Sequence, residues 1–260
     1  MNFTFDLISD LHVLPTENFD WNYQATSPFC IVAGDVARDH TCLLKTLKNL
    51  GKNYQAVFYI DGNEEHKNNL KDIGFNYRQL TKTINRIPNV TYLQDNVVVL
   101  NNVAIIGTNA WMSFDWDTNF SIDESKSAVE SSYNVDRTVT NTMQTLALMD
   151  SKYLQATIQK LQAHTDVKHI IIVTHFVPHG KFIEHDLDFA NNIRLNSSIN
   201  SRALACLEND TEKKIRTWCF GHYHNPVDET IDGSRYSCNP RGRIGTPWCQ
   251  APYWPKRIEC

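Results

Sequence analysis

The chain has 260 residues and a formal net charge of −4, with 42% apolar, 21% charged and 11% aromatic residues. That composition can bury a sizeable core, which excludes a largely disordered protein; ten glycines and nine prolines exclude collagen-like and low-complexity repeats. The acidic balance, with no block of Lys or Arg, disfavours broad binding to duplex nucleic acid and leaves one compact phosphorylated substrate open.

The length predicts one large domain over residues 1–260. Phe3–Ser9 reads as a strand, and Phe29–Ala33 as another, ending at Gly34-Asp35. Leu43–Leu50 has helical spacing and closes at Gly51. Ala56–Ile60 is a buried-type strand ending at Asp61-Gly62-Asn63, and His66–Arg86 reads as one long polar helix stopped before Pro88. Val90–Leu93, Val97–Leu100 and Val103–Gly107 follow as short strands, with Asn101-Asn102 as a hairpin turn. Residues 111–137 show no clear period and read as a loop or lid excursion. Helical spacing returns over Thr138–Ala163, then an apolar strand, His169–Thr174, ends at His175. A short helix is predicted near Arg202–Leu207 and a strand over Ile215–Phe220, ending at Gly221-His222. Val227–Ile231 and Ser234–Cys238 make a hairpin across Asp232-Gly233. The tail from Asn239 reads as irregular but packed through Trp248, Tyr253 and Trp254. Alternating strands and helices through the first third argue for an α/β fold.

Seven cysteines at 30, 42, 206, 219, 238, 249 and 260 are odd in number and form no C-x-x-C pair. They predict reduced, buried thiols in a cytoplasmic protein rather than a disulfide framework or structural zinc. Met1–Ile8 has no basic segment before a long apolar stretch, so no signal peptide is expected, and no membrane span either.

The chemistry is concentrated where strands end. Five apolar strands stop at Asp10-Leu11-His12, Gly34-Asp35, Gly62-Asn63, Thr174-His175 and Gly221-His222-Tyr223-His224. Sites in open α/β sheets form at the carboxyl ends of strands, so side-by-side strands bring these clusters together. Imidazoles, carboxylates and an Asn carbonyl are mixed N/O donors suited to Mn²⁺, Fe or Zn²⁺ at a catalytic site. Seven such donors exceed what one ion with an open position takes and fit two ions about 3.5–4 Å apart. Asp-x-His and His-x-His place two side chains on one side of an extended segment. The glycines at 34, 62 and 221 are expected to permit sharp turns.

These blocks, in this order, resemble the calcineurin-like metallophosphoesterases, whose signature is D-x-H, G-D, G-N-H, a later H and G-H-x-H. The resemblance runs from residue 8 to 224. It implies two packed β-sheets flanked by helices, a four-layer arrangement with the site at one edge. It implies two divalent ions, manganese above iron or zinc. Asp10, His12 and His224 would hold one ion with Asp35, which would bridge to a second held by Asn63, His175 and His222. It implies phosphoester hydrolysis, as a phosphatase or phosphodiesterase, with a metal-bridging hydroxide as nucleophile.

One position departs from the signature. The text is Gly62-Asn63-Glu64-Glu65-His66, so Glu64 stands where the family has a His acting on the leaving oxygen. Three readings stay open. His66 takes that role; or Glu64 is held protonated by the substrate; or the substrate's leaving group needs little protonation. Arg38, three residues after Asp35, is a candidate phosphate contact, and His179 and His185 are candidates to face substrate. Asn239-Pro240-Arg241-Gly242 resembles a tail motif of a bacterial and phage branch, with Arg241 either serving the site or pinning the tail. Two other functions compete: a nucleotide- or nucleic-acid-directed phosphodiesterase, and a non-catalytic scaffold. A Ser/Thr protein phosphatase ranks lower, because Gly34-Asp35-Val36-Ala37-Arg38-Asp39 lacks that branch's longer G-D-x-x-D-R-G text.

Overall fold

The computed structural model describes residues 3–183, 193 and 196–260. The first sheet is built from β1 (Thr4–Ile8), β2 (Phe29–Ala33), β3 (Ala56–Ile60) and β4 (Val90–Tyr92). These four run parallel in sequential order. A fifth strand, Lys256–Glu259, pairs antiparallel with β1 at the edge. The second sheet has six strands, from β5 (Asn96–Leu100), β6 (Val103–Gly107), β7 (His169–Val173) and β8 (Ile215–Phe220) to β9 (Val227–Ile231) and β10 (Ser234–Cys238). Its order is β5-β6-β7-β8-β10-β9, with β6, β7, β8 and β10 parallel. The edge strand Lys256–Glu259 is β11.

Period-2 alternation sorts the side chains into layers. Phe5, Leu7, Ile31, Ala33, Phe58 and Ile60 meet Val103, Ile105, Ile171, Val173 and Cys219 between the sheets. The alternate residues Cys30, Val32, Val57 and Tyr59 face α1 (His40–Asn53) and α2 (Ile73–Ile84) through Leu43, Leu47, Leu50, Leu80 and Ile84. On the outer face of the second sheet, Ala104, Ile106, Ile170, Ile172 and Trp218 pack on Leu154, Ile158 and Leu161. Those three belong to α4 (Arg137–Gln162), which follows α3 (Ile122–Tyr133). The four-layer arrangement is therefore present.

Several elements differ from their sequence reading. The long polar helix is two pieces: a 3-10 segment, Glu64–Asp72, broken at Asn69 (φ −149°, ψ 59°), and then α2. Asp72 caps α2 through the Phe75 amide, so the chain restarts a helix there rather than continuing one. The stretch 111–137, read as a loop, holds α3 and buries Trp111, Met112 and Phe114. α1 runs past Gly51 to Asn53. In the tail, Tyr253 is anchored, its hydroxyl donating to the Asn239 carbonyl at 2.6 Å. Trp248 and Trp254, expected to pack, are instead 58% and 59% exposed. No helix among the described residues is long and apolar enough to cross a membrane.

Candidate metal centre

The parallel strands of both sheets deliver their carboxyl ends to one edge. Backbone hydrogen bonds stitch the loops there: Asp10 N to Gly34 O at 3.0 Å, His12 N to Asp35 O at 3.0 Å, and Gly221 N to His175 O at 3.0 Å. All seven donor residues expected from the sequence meet at this edge.

Two groups form. In the first, His12 Nε2 lies 2.9 Å from His224 Nε2, and His224 Nε2 lies 3.7 Å from Asp10 Oδ1. In the second, His175 Nε2 lies 3.4 Å from Asp35 Oδ1, 3.2 Å from Asn63 Oδ1 and 3.3 Å from His222 Nδ1. His222 Nδ1 is also 2.8 Å from Asn63 Oδ1. The Asp35 carboxylate spans the groups, since its other oxygen, Oδ2, lies 3.8 Å from His12 Nε2.

The donor chemistry fits cations. Two imidazole nitrogens 2.9 Å apart cannot both donate to each other; both can be ligands, since donors about 2.0–2.1 Å from one ion sit at about this separation. Asp10 Oδ2 is buried with no hydrogen-bond partner, an orphan that needs a counter-charge. Burial and the charges of Glu64 and Asp10 push the Asp35 carboxyl well above the usual range; a cation would reverse this. Burial, with His224 beside it, lowers His12 to about 2, and burial lowers His222 and His224 as well. These rings are thus neutral, the form that binds metal. His175 Nδ1 lies 3.0 Å from the Ala33 carbonyl. An Nδ1–H donated there leaves Nε2 bare toward the centre.

The backbone is strained at these residues. Asp10, His12, Asp35 and His222 adopt φ of 50°, 44°, 52° and 67°. Four non-glycine residues in the left-handed region at one site mark strain held by the surroundings. The expectation for the three glycines needs correction. Only Gly34, at φ +84°, uses the conformational freedom of glycine. Gly62 and Gly221 are required by space: a Cβ would fall 2.1 Å from Asp35 Oδ1 in one case and 2.4 Å from Ala33 O in the other.

The remaining candidates separate. Glu64 is buried, and its carboxylate takes Arg38 Nε and Nη2 at 2.9 and 2.7 Å, Arg243 Nη2 at 2.7 Å and Lys67 Nζ at 3.1 Å. Burial alone would raise its pKa, but Arg243, Lys67 and Arg38 outweigh this and lower it to about 2. Three cations thus hold Glu64 as an ionised anchor in the structure. His66 is wholly buried, with Nε2 2.6 Å from Asp61 Oδ2 and Tyr77 and Trp111 against its ring. That placement gives it a structural partner instead of a surface open to substrate, against its expected role as leaving-group acid. Arg38 lines a cavity of about 440 Å³ with His12, Glu64 and Arg243. His179 lines a different cavity, of about 570 Å³, with Leu204, Asp210 and Tyr236, away from the donors. His185 lies outside the described residues. Arg241 pins the tail by binding Glu17 and the Leu11 carbonyl.

Two residues escaped the sequence reading. Arg243 reaches the site two positions after the arginine that the motif drew attention to. Glu65 accepts four backbone amides: Val36 and Gly62 at 2.7 Å, Ala37 at 3.1 Å and Asp35 at 3.2 Å. It holds the Gly34-Asp35 turn against the Gly62-Asn63 turn. Burial and the Asp35 charge push its carboxyl up to about 8, while the amides pull the other way. The only sequence signal was a second carboxylate inside a motif.

No family model matches the sequence. The uncharacterized protein L509 of Acanthamoeba polyphaga mimivirus is 23% identical over 264 residues, covering 90% of this chain and 89% of that one. The crystal structure of phosphopantetheinyl hydrolase (PptH) from Mycobacterium tuberculosis matches at a TM-score of 0.71 and 20% identity, over 99% of this chain and 96% of that one. With two helix-flanked sheets and donors gathered where their strands end, the chain has the calcineurin-like metallophosphoesterase fold.

Proposed function

We propose that the protein is a phosphoester hydrolase that works with two divalent ions, manganese foremost. The observation that carries this reading is the Asp35 carboxylate, with one oxygen toward His12 and the other toward His175. A carboxylate so placed suits a bridge between an ion on Asp10, His12 and His224 and another on Asn63, His175 and His222. Two bound cations would supply an activated water and draw charge from the phosphoryl oxygens. The chain's own groups do the rest. His175 is held in its tautomer by Ala33, and Glu65 fixes the Asp35 turn. Arg38 and Arg243 stand beside the centre as cations for a bound anion. The neighbour whose name is a hydrolase supports hydrolysis as the reaction class.

An ionised Glu64 supports the reading in which the leaving group departs with little protonation. Rates across aryl phosphates should then fall steeply as leaving-group pKa rises; a flat dependence would remove that reading. The function itself is tested on protein purified without metal and reconstituted with Mn²⁺. Two ions per chain are expected, with turnover of an aryl phosphate monoester or diester, and the ratio of the two rates separates phosphatase from phosphodiesterase. Failure to bind metal overturns the proposal. The scaffold and nucleic-acid readings have no specific observation in their favour.

A further inference from the structure

The Glu64 cluster has more positive charge than it needs for itself. One buried carboxylate faces three cations, Arg38, Lys67 and Arg243. Lys67 lies 4.5 Å over the Tyr133 ring and is not on the cavity wall; it offsets Glu64. The two guanidinium groups remain on the wall of the cavity of about 440 Å³ that His12 joins to the donor centre. Their side chains are 46% and 43% exposed. Arg38 spends Nε and Nη2 on Glu64, and Arg243 spends Nη2. Arg38 Nη1 and Arg243 Nε and Nη1 have no hydrogen-bond partner among the described residues. Asp39 also lines the cavity, but its carboxylate caps α1 through the Cys42 amide at 2.8 Å. The rest of the wall is Asn68, whose side-chain amide donates to the Arg38 carbonyl at 3.2 Å, and the apolar Val13, Leu14, Pro15 and Ile244. A second cavity, of about 290 Å³, adjoins His222 and is lined by Ala128, Val129, Ser132, Tyr133, Ser197 and Ser198, with no charged side chain. The two flanks of the centre therefore differ: one presents two arginines with open N–H donors, beside carboxylates already engaged by Arg38, Arg243 and the Cys42 amide, and the other presents no charged side chain.

Guanidinium forks with free donors, held rigid by a buried carboxylate, are suited to a phosphate. We propose that the arginine-lined cavity seats a second phosphate and that the substrate is an organic phosphoanhydride. One phosphoryl group lies at the donor centre, its phosphate leaving group lies on Arg38 and Arg243, and the organic part lies along Leu14 and Ile244. This rests on the phosphoester-hydrolase reading for what is cleaved. The balance is simple. The oxygen of water joins the attacked phosphorus, and the bridging P–O bond breaks. Its electron pair leaves on the second phosphate, where the arginines meet the new charge, and one proton passes to solvent. No acid is required at the bridging oxygen, which agrees with a Glu64 carboxylate already occupied by Arg38, Arg243 and Lys67.

The test is calorimetric binding to the Mn²⁺-loaded protein of methylenediphosphonate, which cannot be hydrolysed, against methylphosphonate. The diphosphonate should bind at least about 10-fold more tightly. In the double variant Arg38→Met/Arg243→Met this advantage, measured as the ratio of the two affinities, should shrink to about 2-fold or less. Metal content is counted before and after, so that loss of Mn²⁺ is not taken for binding. Equal affinities in the parent overturn the proposal, whether or not the variant folds. An advantage kept by a folded double variant overturns it too, since chelation at the ions would then explain the preference. Diphosphonate preference with no turnover of any phosphoester would remove the hydrolase reading and keep the phosphate seat. Aryl phosphate turnover without the preference would do the reverse.

Discussion

At position 65 a carboxylate binds four amides, and at position 64 a carboxylate binds two arginines and a lysine. The donors were legible in the sequence because each motif carries its own chemistry: Asp-x-His and His-x-His put two ligands on one short segment, although left-handed turns at Asp10, His12 and His222, not the expected extended alternation, aim them, and His222 and His224 part to different groups. Glu65 and Arg243 were not, because their use depends on which turn of the chain approaches them. Glu65→Gln keeps the size but has one acceptor oxygen for amides that had two. It should cost about 2–4 kcal/mol in denaturant unfolding and weaken metal retention. Asp35→Asn should lower bound metal below two per chain and cut turnover more than Asp10→Asn, on the order of 10³-fold or beyond. Near-normal metal content and rate in Asp35→Asn would end the bridging assignment. Two glycines give a paired test. Gly62→Ala drives a methyl group into Asp35 and should deplete metal, whereas Gly233, at φ +83° with nothing within 4 Å, should give a variant about 1 kcal/mol less stable with metal intact.

Among elements, the buried parallel strands were the readable part, since five-residue apolar runs between turn residues have few other uses. α3 was missed because its sequence, Ile-Asp-Glu-Ser-Lys-Ser-Ala-Val-Glu-Ser-Ser-Tyr, is too polar to show a period. Its start was nonetheless written in the chain: Ser121 and Glu124 form a capping box, with the Ser121 amide on Glu124 at 2.8 Å. β11 was hidden because Lys-Arg-Ile-Glu exposes Arg257 and Glu259, half-buries Lys256 and fully buries only Ile258. That one side chain closes the inter-sheet core at its edge. Ile258→Ala should therefore destabilise by about 2–4 kcal/mol, read by thermal or denaturant unfolding. A change under about 0.5 kcal/mol would mean that the edge pairing is ornamental to the fold.

For the whole molecule, pH should act on stability through Asp150. This carboxyl is buried beneath the loop after β6, accepting from the Trp111 amide at 3.2 Å. Burial and the neighbouring Asp95 push its pKa up to about 7 from the ordinary 3.8. The folded state thus holds a proton that the unfolded state releases between about pH 4 and 7. Stability from this group is full below about pH 4, falls as pH rises, and is fully lost above about pH 7. Asp150→Asn has no such proton to lose. The variant should gain on the parent by about 2–4 kcal/mol between pH 5 and 8; a parallel pair of stability curves would exclude Asp150 as the source.

The two donor groups each draw on both sheets. Asp10 and His12 follow β1 while His224 follows β8; Asp35 follows β2 while His175 and His222 follow β7 and β8. An ion in either place would work as a rivet between the halves of the sandwich, closing loops of the chain as a cross-link does. Chelation should then do more than silence a reaction. It should let the two halves breathe apart at that edge, and limited proteolysis should begin at the strand-end loops of both sheets together, not at one alone.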